Sequence, residues 1–233
     1  VFVDQDLDGT VDWLIENNID YILNHSSECK GIGYAYDTMF AQAQTDLVVA
    51  FHADMVLGPD ADYHLIKHHK RGVVVCSTRI EPPLHPPGPE KVVMDFGMWP
   101  EELKLQQFDD FVRDQAQQKL ETVTSGAFAP WLIHREDHLG HDPIFLSVFE
   151  DADLFRRFKL AGYDTIQSWS SYVYHLTCRG GQFEHAKTNE DFQTKSSDWQ
   201  SKNELSMREY VRKWGGMFKE YGPCDPKPNT KYN

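Results

Sequence analysis

The chain has no apolar run approaching the roughly 20 residues that a membrane helix needs. It is also short of positive charge. Lys and Arg number 23 against 36 Asp and Glu, for a formal charge of −13 over 233 residues. That balance argues against nonspecific binding to a nucleic acid polymer, which rests on a basic surface. It leaves room for a nucleotide, because a bound cation can neutralise a diphosphate locally. Cysteine is sparse. Cys29, Cys76, Cys178 and Cys224 form no Cys-x-x-Cys pair, so a thiolate zinc site is not expected. Thiols scattered this way fit a reducing compartment, so the expected location is cytoplasmic, free or peripheral to a membrane. No internal repeat is present, and no glycine-rich basic loop follows the first strand.

What is present supports a substantial core: 40% of residues are hydrophobic and 13% aromatic. Residues 1–3 read as a strand with no methionine, cap or signal before it, as in a fragment lacking an upstream strand. Thr10 can cap a helix over 10–17, and 19–23 reads as a second strand. Ile32, Tyr36, Met39, Phe40 and Ala43 fall on one face of a helix over 31–44. A strand over 47–51, a helix over 60–70 and a strand over 73–77 follow. Five prolines make 81–91 a loop. Beyond it come a polar helix over 100–120, a strand over 127–133, a helix over 151–161 and two short strands over 164–169 and 172–175. Residues 180–200 read as a loop, 203–214 as a helix and 223–233 as a tail. Strands alternating with helices in the first half predict a parallel α/β sheet. The expected domain spans 1–222, with halves at 1–80 and 92–222.

The strand over 47–51 runs into His52-Ala53-Asp54, and Gly58-Pro59 breaks it. A carboxylate at the end of a buried strand is costly unless something offsets it. In α/β proteins, ligands bind at the carboxyl ends of strands. His52 and Asp54 are two apart, so on a regular strand they share a face and could hold one divalent cation. Backbone amides in the turn could equally satisfy Asp54.

Other constellations also sit at element ends. Asp4, Asp6 and Asp8 precede Gly9 in a turn. A calcium loop there would want a glutamate at loop position 12, where Ile15 stands, and a preceding helix. A ligand-binding turn or a helix cap remains. In Glu150-Asp151-Ala152-Asp153, Asp151 shares a helical side with Leu154 and Phe155, while Asp153 can pair with Arg157. Asp151, not Asp153, should therefore face a cleft, with a raised pKa that suits a general base. Alternatively, both acids simply favour a helix N-terminus. His175 ends a strand and is either a metal ligand or structural. His134, His138 and His141 have a spacing that imitates a zinc helix, but Gly140 and Pro143 oppose a helix there. A loop contacting an acceptor fits better.

The order of these motifs resembles family 2 glycosyltransferases of the GT-A fold, over roughly residues 1–214. The resemblance implies a Rossmann-like, mixed, mainly parallel α/β sheet flanked by helices in a single domain lacking its first strand. It implies a metal-dependent, inverting transfer of a hexosyl or N-acetylhexosaminyl group from a UDP- or GDP-sugar. The acceptor would be a glycan, a lipid-linked group or a protein. Asp4, Asp6, Lys30 and Ala53 would contact the nucleotide. Asp54, His175 and His52 would hold Mn²⁺ or Mg²⁺, although the family commonly has aspartate where His52 stands. Asp151 would be the base. Gly126, Trp131, Asp142 and Glu150 would face the acceptor. A nucleotidyltransferase of similar fold and a non-catalytic carbohydrate-binding relative are the alternatives.

Overall fold

The structure is a computed structural model. It describes residues 1–4, 6, 8–84, 88, 91–116, 122–123, 129–146, 148–176 and 196–217. The expected tail, Gly126 and most of the 180–200 loop lie outside these residues, as do Cys178 and Cys224. Among the described residues, Cys29 and Cys76 are free thiols.

In chain order the elements are β1 (Phe2–Val3), α1 (Thr10–Glu16), β2 (Ile22–Leu23), α2 (Ile32–Gln42), β3 (Leu47–Ala50), β4 (Met55–Leu57), α3 (Ala61–Lys67) and β5 (Val73–Glu81). Then come β6 (Lys91–Val93), α4 (Leu105–Ala116), β7 (Thr122–Val123), β8 (Trp131–His134), α5 (Glu150–Leu160), β9 (Asp164–His175) and α6 (Ser197–Trp214). β1 and β2 form a small parallel pair. The main sheet runs β3-β8-β5-β9-β4, with β6 on β5 and β7 on β9. β5 is parallel to β9 and β6; the pairings of β8 with β3 and β5, and of β9 with β4 and β7, are antiparallel. The sheet is therefore mixed. Its antiparallel share exceeds what strand–helix alternation predicts, because β8 returns between β3 and β5.

The packing follows from residue type. Val73, Val74, Val75 and Cys76 on β5 are all buried, as a strand covered on both faces requires. On β9, Val173 packs with Tyr36 and Phe40 of α2, Trp131 of β8, and Leu154, Phe155 and Phe158 of α5. Its neighbours Tyr172 and Tyr174 pack with Phe108 and Val112 of α4. Successive strand residues point to opposite faces, so α2 and α5 cover one face and α4 the other.

Several boundaries differ from expectation. β5 extends four residues past Ser77, to Glu81. The two short strands expected at 164–175 are one strand, β9, broken only by a shift of register that opposes Ser77 to Ser168 and Thr78 to Tyr172. The polar residues at the shift bond one another: Ser77 Oγ and Ser171 Oγ are 2.7 Å apart, and Thr78 Oγ1 donates to Ser168 O at 2.8 Å. Helix α6 begins earlier than expected, capped by Ser196 Oγ, which accepts from the Trp199 amide. Thr10 does not cap α1; Gly9 holds that position in a left-handed conformation, and Thr10 donates to Asp8 instead.

Candidate active site

Strand β3 ends at Ala50, and the chain turns through His52, Ala53 and Asp54 before β4 begins. Antiparallel pairing of β4 with β9 sets Met55 opposite His175. The end of one strand is thereby placed beside the turn that leaves another. His175 Nε2 is 3.5 Å from Asp54 Oδ1, and the rings of His52 and His175 are 5.9 Å apart. One ligand atom from each of His52, Asp54 and His175 lies within 4.8 Å of the others. Burial alone would raise the Asp54 carboxyl. The hydrogen bond from His175 and the charges of His175 and His52 outweigh it and hold the group below its ordinary value. Burial, reinforced by His175, lowers His52 to about 4, so its imidazole is neutral at pH 7. Burial would lower the His175 ring, but hydrogen bonds to Asp54 and Glu81 raise it above its ordinary value, so a cation would have to displace the Nε2 proton. The carboxylate and imidazole nitrogens would then make a mixed N/O donor set that suits Mn²⁺ better than the oxygen-seeking Mg²⁺.

Asp4 occupies the end of β1. Its carboxylate accepts from Lys30 N at 3.0 Å, Gly31 N at 3.1 Å, Asn24 Nδ2 at 2.8 Å and Cys29 Sγ at 2.8 Å. These four donors match a carboxylate's full capacity, so a nucleoside contact through Asp4 would displace one of them. They also tie β1 to the start of α2. Lys30 contributes its backbone amide, while its Nζ lies 3.8 Å from Glu28. Asp6 is exposed and accepts from Val11 N at 3.3 Å, which serves the start of α1. Ala53 is exposed in the turn between β3 and β4.

Helix α5 starts at Glu150, after Phe149 in a left-handed conformation with φ 72°. That conformation is unfavourable for a bulky residue, and such outliers concentrate at functional sites. Asp151 is half-buried, and its Oδ1 accepts from Ala152 N at 2.6 Å. Burial raises its pKa despite opposing contributions from Arg79 and His141. Asp153 pairs with Arg157 as expected, but it faces inward rather than outward. It is fully buried and binds Arg157 at 2.8 Å, Trp214 Nε1 at 2.9 Å and Lys213 Nζ at 2.7 Å. Helix α6 covers this second side of α5, which the apolar stripe alone could not show.

The expected acceptor contacts fare unevenly. Trp131 is a core residue, 2% exposed and packed among Phe40, Phe155 and Phe158, so its ring lines no open surface. Asp142 is engaged by Lys213 Nζ at 2.6 Å. Glu150 is buried, and its Oε2 has no partner among the described residues. Burial first, and then the neighbouring Asp151, push its carboxyl up to about 8. Its folded pKa exceeds the ordinary value of 4.5, so stability falls as pH rises from there to about 8. Glu150→Gln is expected to flatten that decline and to raise stability at pH 8 by about 1–3 kcal/mol, read from urea unfolding at several pH values.

Three contributors escape sequence reading. Tyr36 belongs to an apparently apolar stripe, yet its ring stacks on both His52 and His141, at 6.0 and 5.6 Å. Burial raises its hydroxyl's pKa, and the charges of Glu150, Asp151 and Asp54 raise it further. Arg79 on β5 favours the ionised form of Asp151. Glu81 on β5 accepts from His175 Nδ1 at 2.8 Å.

His134, His138 and His141 do not converge. His134 accepts from Glu136 N and stacks on His69. Asp37 Oδ1 instead meets His138 Nε2 and His141 Nδ1, each at 2.7 Å. A cation among these three would leave a protonated His138 Nδ1 beside Phe40, where that buried nitrogen has no partner among the described residues. The three side chains act as a clamp joining α2 to the 138–141 loop.

No family profile and no curated protein matches this chain. Among solved structures it is similar to GalNAc-T7 with UDP, GalNAc and Mn²⁺, with a TM-score of 0.54 and 10% identity over 75% of this chain and 36% of that one. It is also similar to S. aureus TarS 1–349 in complex with UDP, with a TM-score of 0.46 and 10% identity over 93% of this chain and 62% of that one. The chain thus spans about a third of the first protein and less than two thirds of the second. At this identity the likeness to GalNAc-T7 is one of fold. The chain shares with GalNAc-T7 an α/β fold, here with a mixed sheet flanked by helices. Among the described residues, no helix is long and apolar enough to cross a membrane.

Proposed function

We propose that this chain is a metal-dependent, inverting glycosyltransferase of the family 2 type, using a UDP- or GDP-sugar. The observation that carries this reading is the meeting of His52, Asp54 and His175 at two strand ends, with Tyr36 linking them to the acidic start of α5. Asp54, with His175 and His52, would hold Mn²⁺ or Mg²⁺. A cation bound there would neutralise charge developing on the departing nucleoside diphosphate. The 4–31 region, through Asp4 and the amides of Lys30 and Gly31, shapes the nucleoside end. Asp151, its basicity raised by burial, takes the proton from an acceptor hydroxyl as that oxygen attacks the anomeric carbon. One base and one displacement invert the configuration, with no covalent sugar–protein intermediate. The transferred group is a hexosyl or N-acetylhexosaminyl unit, and the acceptor a glycan, lipid-linked or protein hydroxyl. The cytoplasmic assignment belongs to the same proposal.

The test is a thermal-shift screen of UDP, GDP and their sugars with and without Mn²⁺. The expected result is a rise in Tm that needs nucleotide and Mn²⁺ together, since only a ligand that binds the folded state stabilises it. No rise with any pair would favour the non-catalytic carbohydrate-binding reading.

A further inference from the structure

We propose that Glu81 is the positioning residue that prepares His175 to bind a cation, an inference that rests on the metal-dependent reading above. Glu81 lies outside the His52, Asp54 and His175 cluster. It ends β5, only 2% exposed, where an ionised carboxylate is costly unless it is paired. Two cations meet it: Lys91 Nζ at 2.7 Å and Arg79 Nη1 at 3.3 Å. Its third partner is His175 Nδ1 at 2.8 Å.

The sheet dictates this arrangement. Parallel pairing of β5 with β9 sets Ile80 beside Tyr174, so the next residues in each strand, Glu81 and His175, are neighbours. Parallel pairing of β5 with β6 sets Lys91 beside Arg79, two residues before Glu81 and on the same face. Lys91 of β6 is thereby brought to the same carboxylate.

The consequence falls on His175. An ionised Glu81 can only accept, so His175 donates its Nδ1–H. The lone pair of a neutral His175 is then confined to Nε2, the nitrogen that faces Asp54. A carboxylate behind a histidine fixes its tautomer and ring orientation and makes it a better ligand. Arg79 and Lys91 keep Glu81 charged in a buried setting. If Glu81 served only to neutralise those two cations, its replacement would alter stability without acting through His175.

Calorimetric titration of the full chain with Mn²⁺ separates the two roles. Glu81→Gln is expected to weaken Mn²⁺ binding roughly 10–100-fold, the usual cost of losing such an outer partner. Glu81→Asp, which keeps the charge and the pairing with Lys91 and Arg79, should weaken it less and guards against a misfolded Gln variant. In a His175→Ala background, Glu81→Gln should cause no further loss. ¹⁵N spectra of the metal-free wild type should show His175 carrying its proton on Nδ1 when neutral. Wild-type Mn²⁺ binding with an unaltered Glu81→Gln affinity overturns this inference alone. So does an equal loss with and without His175. A wild-type chain that binds no Mn²⁺, with or without UDP, overturns the metal-dependent reading and this inference together.

Discussion

Asp151→Asn is expected to slow sugar transfer roughly 10²–10⁴-fold, the usual contribution of a general base, while Mn²⁺-dependent UDP binding persists. Asparagine keeps the volume of the side chain. Its Oδ1 can still accept from Ala152 N, the bond Asp151 makes now. The fold and the strand-end cluster should therefore survive. What disappears is the capacity to take a proton. Asp151 is suited to that task because burial raises its pKa above the ordinary value while Arg79 and His141 limit the rise. Glu150, buried and raised to about 8, is largely protonated at pH 7 and is the weaker candidate. UDP release from a nucleotide sugar, with water or a sugar as acceptor, reads the effect. A variant that turns over at the wild-type rate would remove Asp151 from the chemistry.

Gly31→Ala is expected to destabilise the fold by about 3 kcal/mol or more, because it combines a forbidden backbone with a hard clash. Gly31 has φ 82° and ψ 168°, a region that only glycine occupies comfortably. A Cβ there would lie 1.9 Å from the carbonyl oxygen of Leu146. The backbone cannot easily yield. Ile32 N donates to that same oxygen at 3.0 Å, and Gly31 N donates to Asp4 at 3.1 Å. The substitution should therefore disturb Asp4, the proposed nucleoside contact, as well as stability. Gly9 is the control: it has φ 83°, but a Cβ there meets nothing within 4 Å. Gly9→Ala should cost only about 1 kcal/mol, from strain alone. Urea unfolding of both variants measures the difference. Equal costs at the two positions would show that the Leu146 contact is soft.

The strand-end motifs were legible in the sequence because an apolar run that stops at an acid has few physical explanations. That logic singled out Asp54 and His175 separately, and β4–β9 pairing is what brings them together. It needed no knowledge that 164–175 is one strand. The α/β character was legible for the same reason, from runs of buried residues separated by amphipathic ones. The direction of β8 was not, since a short apolar run carries no mark of whether it runs parallel or antiparallel.

Other features were hidden by pairwise packing. The prolines after Glu81 made residue 81 look like the start of a loop, when it is the last residue of β5. Tyr36 sat on an apolar stripe, and nothing local marks its ring as stacking on both His52 and His141. Asp153 looked solvent-facing because its i+4 partner is a charged residue. Its burial comes from Lys213 and Trp214 of α6, some sixty residues later. Trp131 was expected to face an acceptor from the family resemblance alone, but α2 and α5 close over it. A periodic pattern shows that a residue is covered; it does not show what covers it.

If the strand-end cluster binds the cation of a nucleotide complex, manganese will be found there. Crystals of the full chain soaked with Mn²⁺ and UDP, measured for manganese anomalous scattering, test it most directly. The expected result is a peak at bonding distance from Asp54 Oδ1 and His175 Nε2, with the nucleoside toward Asp4, and its loss in Asp54→Ala. UDP bound without such a peak, or a peak at Asp37, His138 and His141 instead, would contradict it.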